Sequence, residues 1–465
     1  MVQRIATLLV LALAGPAVAR GKGFEPLNFV VIISDDAGFA DFGFNRVEDV
    51  DPLATPRIDS IAQSGAWFST GYVTASVCSP SRAGLITGRY QQRFGHECNL
   101  NGQAERAGLG MSRDEETVAD LLRRAGYRTG LIGKWHLGSA PGLRPLDRGF
   151  DEFMGLWQGS RSYFKEADSR RPLRVGGRVI EEPDDLYLTT WMGDRAVDFI
   201  AAHRDEPFFL YLSHTAPHTP MEALEDDLEA ARSELGASAP DRRVTYAAMM
   251  RSLDRSVGRV LDAIDDAGLR DRTVVFFIND NGGATNNGSE NGPLRGMKGS
   301  KWEGGVRVPY AVRWPGMAAP GRRVDGLVSS LDIAATIAAH AGIEPKHPLD
   351  GEDLRPILIG ERDRPEREAL FWRRSVAAAV RTDRWKLIRS EGNPTLLFDL
   401  TADEGERIDL SASHPDVLAG LISMLSSWES EMIDPLWREG ERWERNQRRK
   451  HRLEVLGREA ERRFP

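Results

Sequence analysis

The apolar residues of this chain gather in short, uninterrupted runs that stop abruptly at polar residues. NFVVIIS, at 28–34, ends in Asp35-Asp36 and a turn-forming Ala-Gly; TVVFFI, at 273–278, ends in Asn279-Asp280-Asn281-Gly282-Gly283. Residues 127–132 lead into Gly133-Lys134-Trp135-His136, and residues 208–212 into Ser213-His214. Runs of β-branched and aromatic residues without alternation predict strands covered on both faces, as in a parallel sheet. Between them, residues 117–125 show helical spacing that stops at Gly126, and residues 246–267 predict one long amphipathic helix. Strands alternating with helices predict an α/β fold, a large and mostly parallel sheet sandwiched by helices. The texture changes after residue 363. Residues 377–388 and 395–400 predict short alternating strands around turns, and 415–432 a helix. The main domain is therefore placed at 25–363. A smaller C-terminal α+β subdomain with a short antiparallel sheet and a charged helical tail is placed at 364–465.

The first 19 residues predict an export signal: Arg4, the apolar IATLLVLALAG, and the cleavage site Ala17-Val18-Ala19. The expected location is periplasmic or extracellular. That run is too short to span a bilayer and no later one is long enough, so no membrane partner is expected. A net charge of −8 argues against a nucleic-acid partner. Export makes the presence of only two cysteines informative: either Cys78 and Cys98 pair, or a free thiol is kept for another purpose.

Chemistry is predicted where the runs end. Parallel strands point the same way, so Asp35-Asp36, Lys134 with His136, His214 and Asp280-Asn281 share one edge of the sheet, where open α/β folds bind ligands. Asp35, Asp36, Asp280 and Asn281 form a hard oxygen set suited to Ca²⁺ or Mg²⁺. Around it stand Arg82, Lys134, His136, His214 and Lys298, the last in the Gly-rich loop GPLRGMKGSKWEGG. A dication with several cationic donors suits a tetrahedral oxyanion, sulfate or phosphate. In VCSPSRAGLITGRY, residues 77–90, Pro80 and Ser81 predict a helix start, which places Cys78 where the helix dipole favours a thiolate. A thiolate matches a hard cation poorly, however, and an oxygen-bearing group at position 78 fits better.

Cys78-Ser79-Pro80-Ser81-Arg82 with the following AGLITGRY resembles the signature of the type I, formylglycine-dependent sulfatases of the alkaline phosphatase superfamily. GYRTGLIGKWHLG, Asp35-Asp36, SHTAPHTP, NDNGG and GMKGSKWEGG match in the family's order. The resemblance implies an alkaline phosphatase-like fold and oxidation of Cys78 by a formylglycine-generating enzyme to an aldehyde that hydrates to a diol. It implies one Ca²⁺ held by Asp35, Asp36, Asp280, Asn281 and residue 78. It further implies attack of the diol on sulfur, with His214 and Lys298 assisting the leaving oxygen, His136 assisting release of sulfate, and Arg82 and Lys134 steadying charge. Cys78 would then not be in a disulfide. The expected substrate is a sulfated carbohydrate.

Two other functions share these features: a phosphodiesterase or phosphonate monoester hydrolase, and a non-catalytic, calcium-dependent binder of sulfated glycans. Residues 157–183, with Arg161, Lys165, Arg170, Arg171 and Arg174, offer a basic wall for a polyanion or simply an exposed loop. FGHECN, at 94–99, lies close enough in sequence to reach the substrate. Asn287-Gly288-Ser289 fits a glycosylation sequon.

Overall fold

A computed structural model of the chain describes residues 26–456, apart from positions 46, 49, 51 and 167–169. The signal expected at 1–19 lies outside the described residues. The framework is a ten-stranded sheet. At its centre Thr273–Asn279, Asn28–Ser34, Phe208–Ser213 and Arg128–Lys134 lie side by side in that order, all parallel. Glu152–Leu156 extends the parallel set. Away from the centre antiparallel pairs appear: Tyr310–Arg313 pairs with Thr273–Asn279 and with Ala66–Phe68, beside which Arg322–Val324 forms a parallel outer edge, and the hairpin Arg174–Val175 with Arg178–Val179 closes the other side. The hairpin needs only a tight turn, so no crossover helix was there to be read.

Side chains alternate across the sheet. Val30, Ile32, Leu210 and Leu212 face one layer, built on the helices Leu188–Ala202 and Asp241–Asp266 through Phe199, Leu253 and Val257. Phe29, Val31, Ile33, Phe209, Tyr211, Phe276 and Ile278 face the other. There Leu85, Leu122 and Ile333 pack from the helices Cys78–Thr87, Val118–Arg124 and Leu331–Ala341. Each such side chain contributes about 1.5–3 kcal/mol by its burial. Alternation continues past the strand ends and decides which polar residues meet. The long helix begins at Asp241, earlier than its apolar pattern predicts, because Asp241, Arg242 and Arg243 form a polar first turn.

The C-terminal sheet has four antiparallel strands, Leu370–Arg374, Ala377–Arg381, Trp385–Ser390 and Leu396–Asp399, with the helix Pro415–Ser430 against it. The run expected over 377–388 is thus two strands around a turn. Leu370–Arg374 escaped the sequence reading because two arginines close an otherwise apolar LFWRR. The sheet docks on the main body through Trp372, whose Nε1 donates to the Val73 carbonyl at 2.7 Å. It docks also through buried Lys386, 2.8 Å from Glu303 Oε1 and 2.9 Å from Glu406 Oε1.

Candidate active site

Asp35 continues the odd-numbered face of Asn28–Ser34, and Asp280 the even-numbered face of Thr273–Asn279. Both are the faces that carry Phe29 and Ile278, so both carboxylates reach the layer holding the helix Cys78–Thr87. Arg82, on that helix, donates from Nε and Nη2 to Asp280 Oδ2 at 3.0 and 2.9 Å and from Nη1 to Ser213 Oγ. Its Nη2 lies 3.5 Å from Asp35. Lys134 Nζ lies 2.5 Å from Asp35 Oδ2, and Lys298 Nζ 2.7 Å from the Asp36 carboxylate. Three carboxylates therefore face three cations, almost entirely out of water.

Two residues here adopt the left-handed region without being glycine, Asp36 at φ 66° and His136 at φ 58°, a conformation costing about 1–3 kcal/mol each. Asn287 Nδ2 donates to the Asp36 carbonyl at 2.9 Å, and the Asp36 N–H donates to Asp280 Oδ1 at 3.3 Å. Ser79 Oγ donates to the His136 carbonyl at 2.6 Å and pairs with His96 Nε2 at 2.7 Å. Sequence reasoning missed Ser79, His96 and Asn287 in these supporting roles. Asn287 is fully buried, so its sequon serves this backbone and offers nothing to a glycosylating enzyme.

Cys78 opens its helix as expected, with Sγ 3.6 Å from Asp35 Oδ1, and both cysteines are free. The thiolate expected from the helix dipole does not hold. Burial, reinforced by the Asp280 and Asp35 carboxylates, pushes the Cys78 thiol up to about 12. Ligand atoms of Asp35, Asp36, Cys78 and His218 lie within 4.8 Å of one another. Asn281 donates from Nδ2 to Asp36 Oδ1 at 2.8 Å, while its buried Oδ1 has no hydrogen-bond partner among the described residues. Burial, together with neighbouring Asp35, pushes the Asp280 carboxyl up to about 6. An orphaned amide oxygen beside three crowded carboxylates fits a hard, oxygen-seeking dication.

His214 is a correction. It continues the face of Leu210 and Leu212, away from Cys78, and its Nε2 lies 3.4 Å from Ser256 Oγ on the long helix. Burial, with Arg259 nearby, lowers it to about 3, so it stays neutral. The second histidine of SHTAPHTP stands at the site instead. His218 Nδ1 donates to the Thr219 carbonyl at 2.6 Å, which leaves Nε2 3.5 Å from Asp36 Oδ2. Strand alternation, followed two residues beyond Leu212, places His214 on the layer away from Cys78.

Residues 27–343 match the sulfatase family model, and residues 298–427 match that of the N-sulphoglucosamine sulphohydrolase C-terminal region. The chain belongs to the sulfatase family. Among its relatives, arylsulfatase A of Homo sapiens is 34% identical, the alignment covering 89% of this chain and 89% of that one. N-acetylgalactosamine-6-sulfatase of Mus musculus is 33% identical, covering 82% and 74%. The crystal structure of Ps i-CgsB superposes with a TM-score of 0.83 at 33% identity, covering 93% and 98%. The same protein has been solved in complex with k-i-k-neocarrahexaose and matches at a TM-score of 0.82 and 32% identity, covering 95% of this chain and 100% of that one.

As a sulfatase the chain is a sulfuric ester hydrolase; the family implies a metal site, and the acidic cluster offers side chains that could hold one. The cluster opens into a pocket of about 290 Å³ walled by Cys78, His136, His218, Lys298, Asn99 and Arg171. Asn99, from FGHECN, also accepts the Ser79 N–H at 3.0 Å. The basic wall expected from residues 157–183 is mostly spent elsewhere. Arg161 is buried against Glu182, Lys165 pairs with Asp184, and Arg174 lies 3.9 Å over the Trp157 ring. Of the cations singled out in that stretch, Arg171 lines the sulfatase's pocket.

Proposed function

We propose that this sulfatase hydrolyses sulfate esters of carbohydrates, with residue 78 as a formylglycine nucleophile and one Ca²⁺ bound by Asp35, Asp36, Asp280 and Asn281. The observation that carries this reading is the convergence of those ligands, from the ends of two neighbouring parallel strands, on Cys78 at a helix start. The unsatisfied Asn281 oxygen supports the metal, and the names of the relatives support the substrate class. Bound there, calcium would supply a Lewis acid that withdraws electron density from sulfate oxygens. The hydrated aldehyde, made from Cys78 by a formylglycine-generating enzyme, supplies an oxygen nucleophile where the thiol is too basic to ionise.

The chain's own residues do the rest. Arg82 and Lys134 are locked by Asp280 and Asp35, so their donors are already oriented when negative charge gathers in the pocket. With three carboxylates balancing three cations, a dication and a product dianion together add no net charge. Lys298 and His218, both lining the pocket beside Asp36, deliver charge or a proton to the leaving sugar oxygen. His218 takes the role that the sequence suggested for His214. His136 is held neutral by burial and by Lys134 and Arg82, and its Nδ1 has no hydrogen-bond partner among the described residues, so a neutral imidazole faces the site. Ser79 keeps that ring's backbone in its left-handed turn. Export follows from the segment at 1–19.

The test is release of inorganic sulfate from 4-nitrophenyl sulfate and from sulfated disaccharides, beside 4-nitrophenyl phosphate and a phenylphosphonate ester. The reading expects sulfate esters to be turned over fastest and calcium chelation to abolish turnover. A preference for the phosphoryl esters would assign the phosphonate hydrolase activity instead.

A further inference from the structure

Beside the pocket over residue 78 lies a second cavity of about 410 Å³. The two share Asn99, Asn101 and Lys298 in their walls, so they adjoin as one bipartite cleft. The far wall comes from the end of the chain. Arg374 closes the strand Leu370–Arg374, and Trp443 and Gln447 stand one turn apart on the helix Glu441–Leu456. That helix begins beyond residue 427, where the family-model matches end.

Arg374 is 4% exposed. Its Nη2 bonds Glu439, a carboxylate that also accepts the Asn99 N–H at 3.3 Å. Its Nε and Nη1 have no hydrogen-bond partner among the described residues. The Trp443 ring lies 4.2 Å from the guanidinium and holds it in place. Gly299, on the same wall, has φ 90°, and a Cβ there would stand in ordinary contact with Nη1 at 3.6 Å. A guanidinium with two idle donors is costly to bury, and its fork matches an oxyanion. A second observation agrees. Burial first, and Arg374 after it, lower the buried Lys301 ammonium to about 7 against the opposing pull of Glu97 and Glu439, which places Arg374 among neighbouring charges.

We propose that this side cavity seats the neighbouring sugar of an oligosaccharide substrate, and that Arg374 holds a second anionic substituent, sulfate or carboxylate, on that sugar. The proposal rests on the sulfatase reading and narrows it to chains bearing at least two anionic groups. Trp443 and Gln447 supply the wall against which the sugar ring lies, and Asn101 stands where the two cavities meet.

The experiment uses the converted full-length enzyme and disaccharides in matched trios: one sulfate ester alone, the same with a second sulfate on the adjoining sugar, and the same with a carboxylate there. 4-Nitrophenyl sulfate serves as the common reference. Wild-type enzyme is expected to favour one doubly anionic member over its singly sulfated partner by about tenfold or more in kcat/KM, a charge-assisted preference. The favoured arm identifies the substituent. In Arg374→Met that preference falls to about one, chiefly through KM. In Trp443→Ala and Gln447→Ala the disaccharide-to-aryl ratio of kcat/KM falls at least about threefold. These two residues are only half-buried on the tail helix, so they carry the test even if Arg374→Met fails to fold. Sulfate release with the wild-type preference intact in all three variants would overturn this inference alone. No sulfate release from any substrate by the wild type would overturn the sulfatase reading with it.

Discussion

Replacing His214 and His218 separately by alanine tests whether strand alternation assigns the acid correctly. His218 lines the pocket with Nε2 3.5 Å from Asp36, whereas His214 faces Ser256 on the opposite layer. Losing a positioned proton donor costs about 10²–10⁴ in rate, or about 3–5.5 kcal/mol in the barrier. His218→Ala should therefore lose that much kcat, and more on sugar sulfates than on 4-nitrophenyl sulfate, whose leaving group needs less help. His214 is fully enclosed, and its removal leaves a cavity costing about 1–3 kcal/mol of stability. With an unfolding entropy of about 2 cal/mol/K per residue, that lowers the melting temperature by about 1–3 °C in a chain of this size. Activity per folded His214→Ala molecule should stay within about threefold, since no step of the reaction touches it. Steady-state kinetics on both substrate types, paired with thermal unfolding, reads both effects. A hundredfold loss of kcat in His214→Ala at unchanged melting temperature, with His218→Ala nearly intact, would refute the reasoning.

Arg82→Ala should destabilise the protein by about 3–5 kcal/mol, because it strands the buried Asp280 carboxylate, and the loss should grow when calcium is chelated; equal unfolding midpoints for variant and wild type would contradict this. Free calcium at a hundred times its dissociation constant should stabilise the wild type by about 2.7 kcal/mol, and Asn281→Ala should show a smaller shift in calorimetry. A third prediction concerns the C-terminal sheet. Burial, with Glu303 alongside, pushes the Glu406 carboxyl up to about 7, so the stability its proton confers is full below pH 4.5 and lost as pH rises through 7. The shift of Glu303 is downward, to about 2, and its contribution holds across that range. Between pH 6 and pH 8 the wild type should lose about 1 kcal/mol, and Glu406→Gln should flatten that slope. Equal slopes in urea unfolding would argue against it.

The parallel core was legible because runs such as NFVVIIS and TVVFFI are short, β-branched and bounded by turn residues, which favours a strand covered on both sides. Their shared direction put Asp35, Lys134 and Asp280 on one edge, and in the structure Asp280 bonds Arg82 while Asp35 meets Lys134, Arg82 and Cys78. The antiparallel edges and Leu370–Arg374 were not legible. Pairing direction there depends on short turns and on tertiary docking, which leave little periodic signal. At the site, position just past the run 208–212 favoured His214 over His218, and only the alternation of Leu210 and Leu212 reveals which face the first histidine joins. Ser79, His96 and Asn287 act through backbone carbonyls of Asp36 and His136. Nothing in a run of polar residues announces such a role. The wall formed by Arg374, Trp443 and Gln447 was hidden for another reason: the charged tail reads as a solvated helix until the sheet edge beneath it is known.

Mass spectrometry of the tryptic peptide covering residues 58–82, taken from catalytically active protein made in its native host, tests the central claim most directly. The account predicts a peptide about 18 Da lighter than the cysteine form, reactive toward hydrazines, and heavier by one water when hydrated. An unmodified thiol at position 78 in protein that still turns over sulfate esters would contradict it.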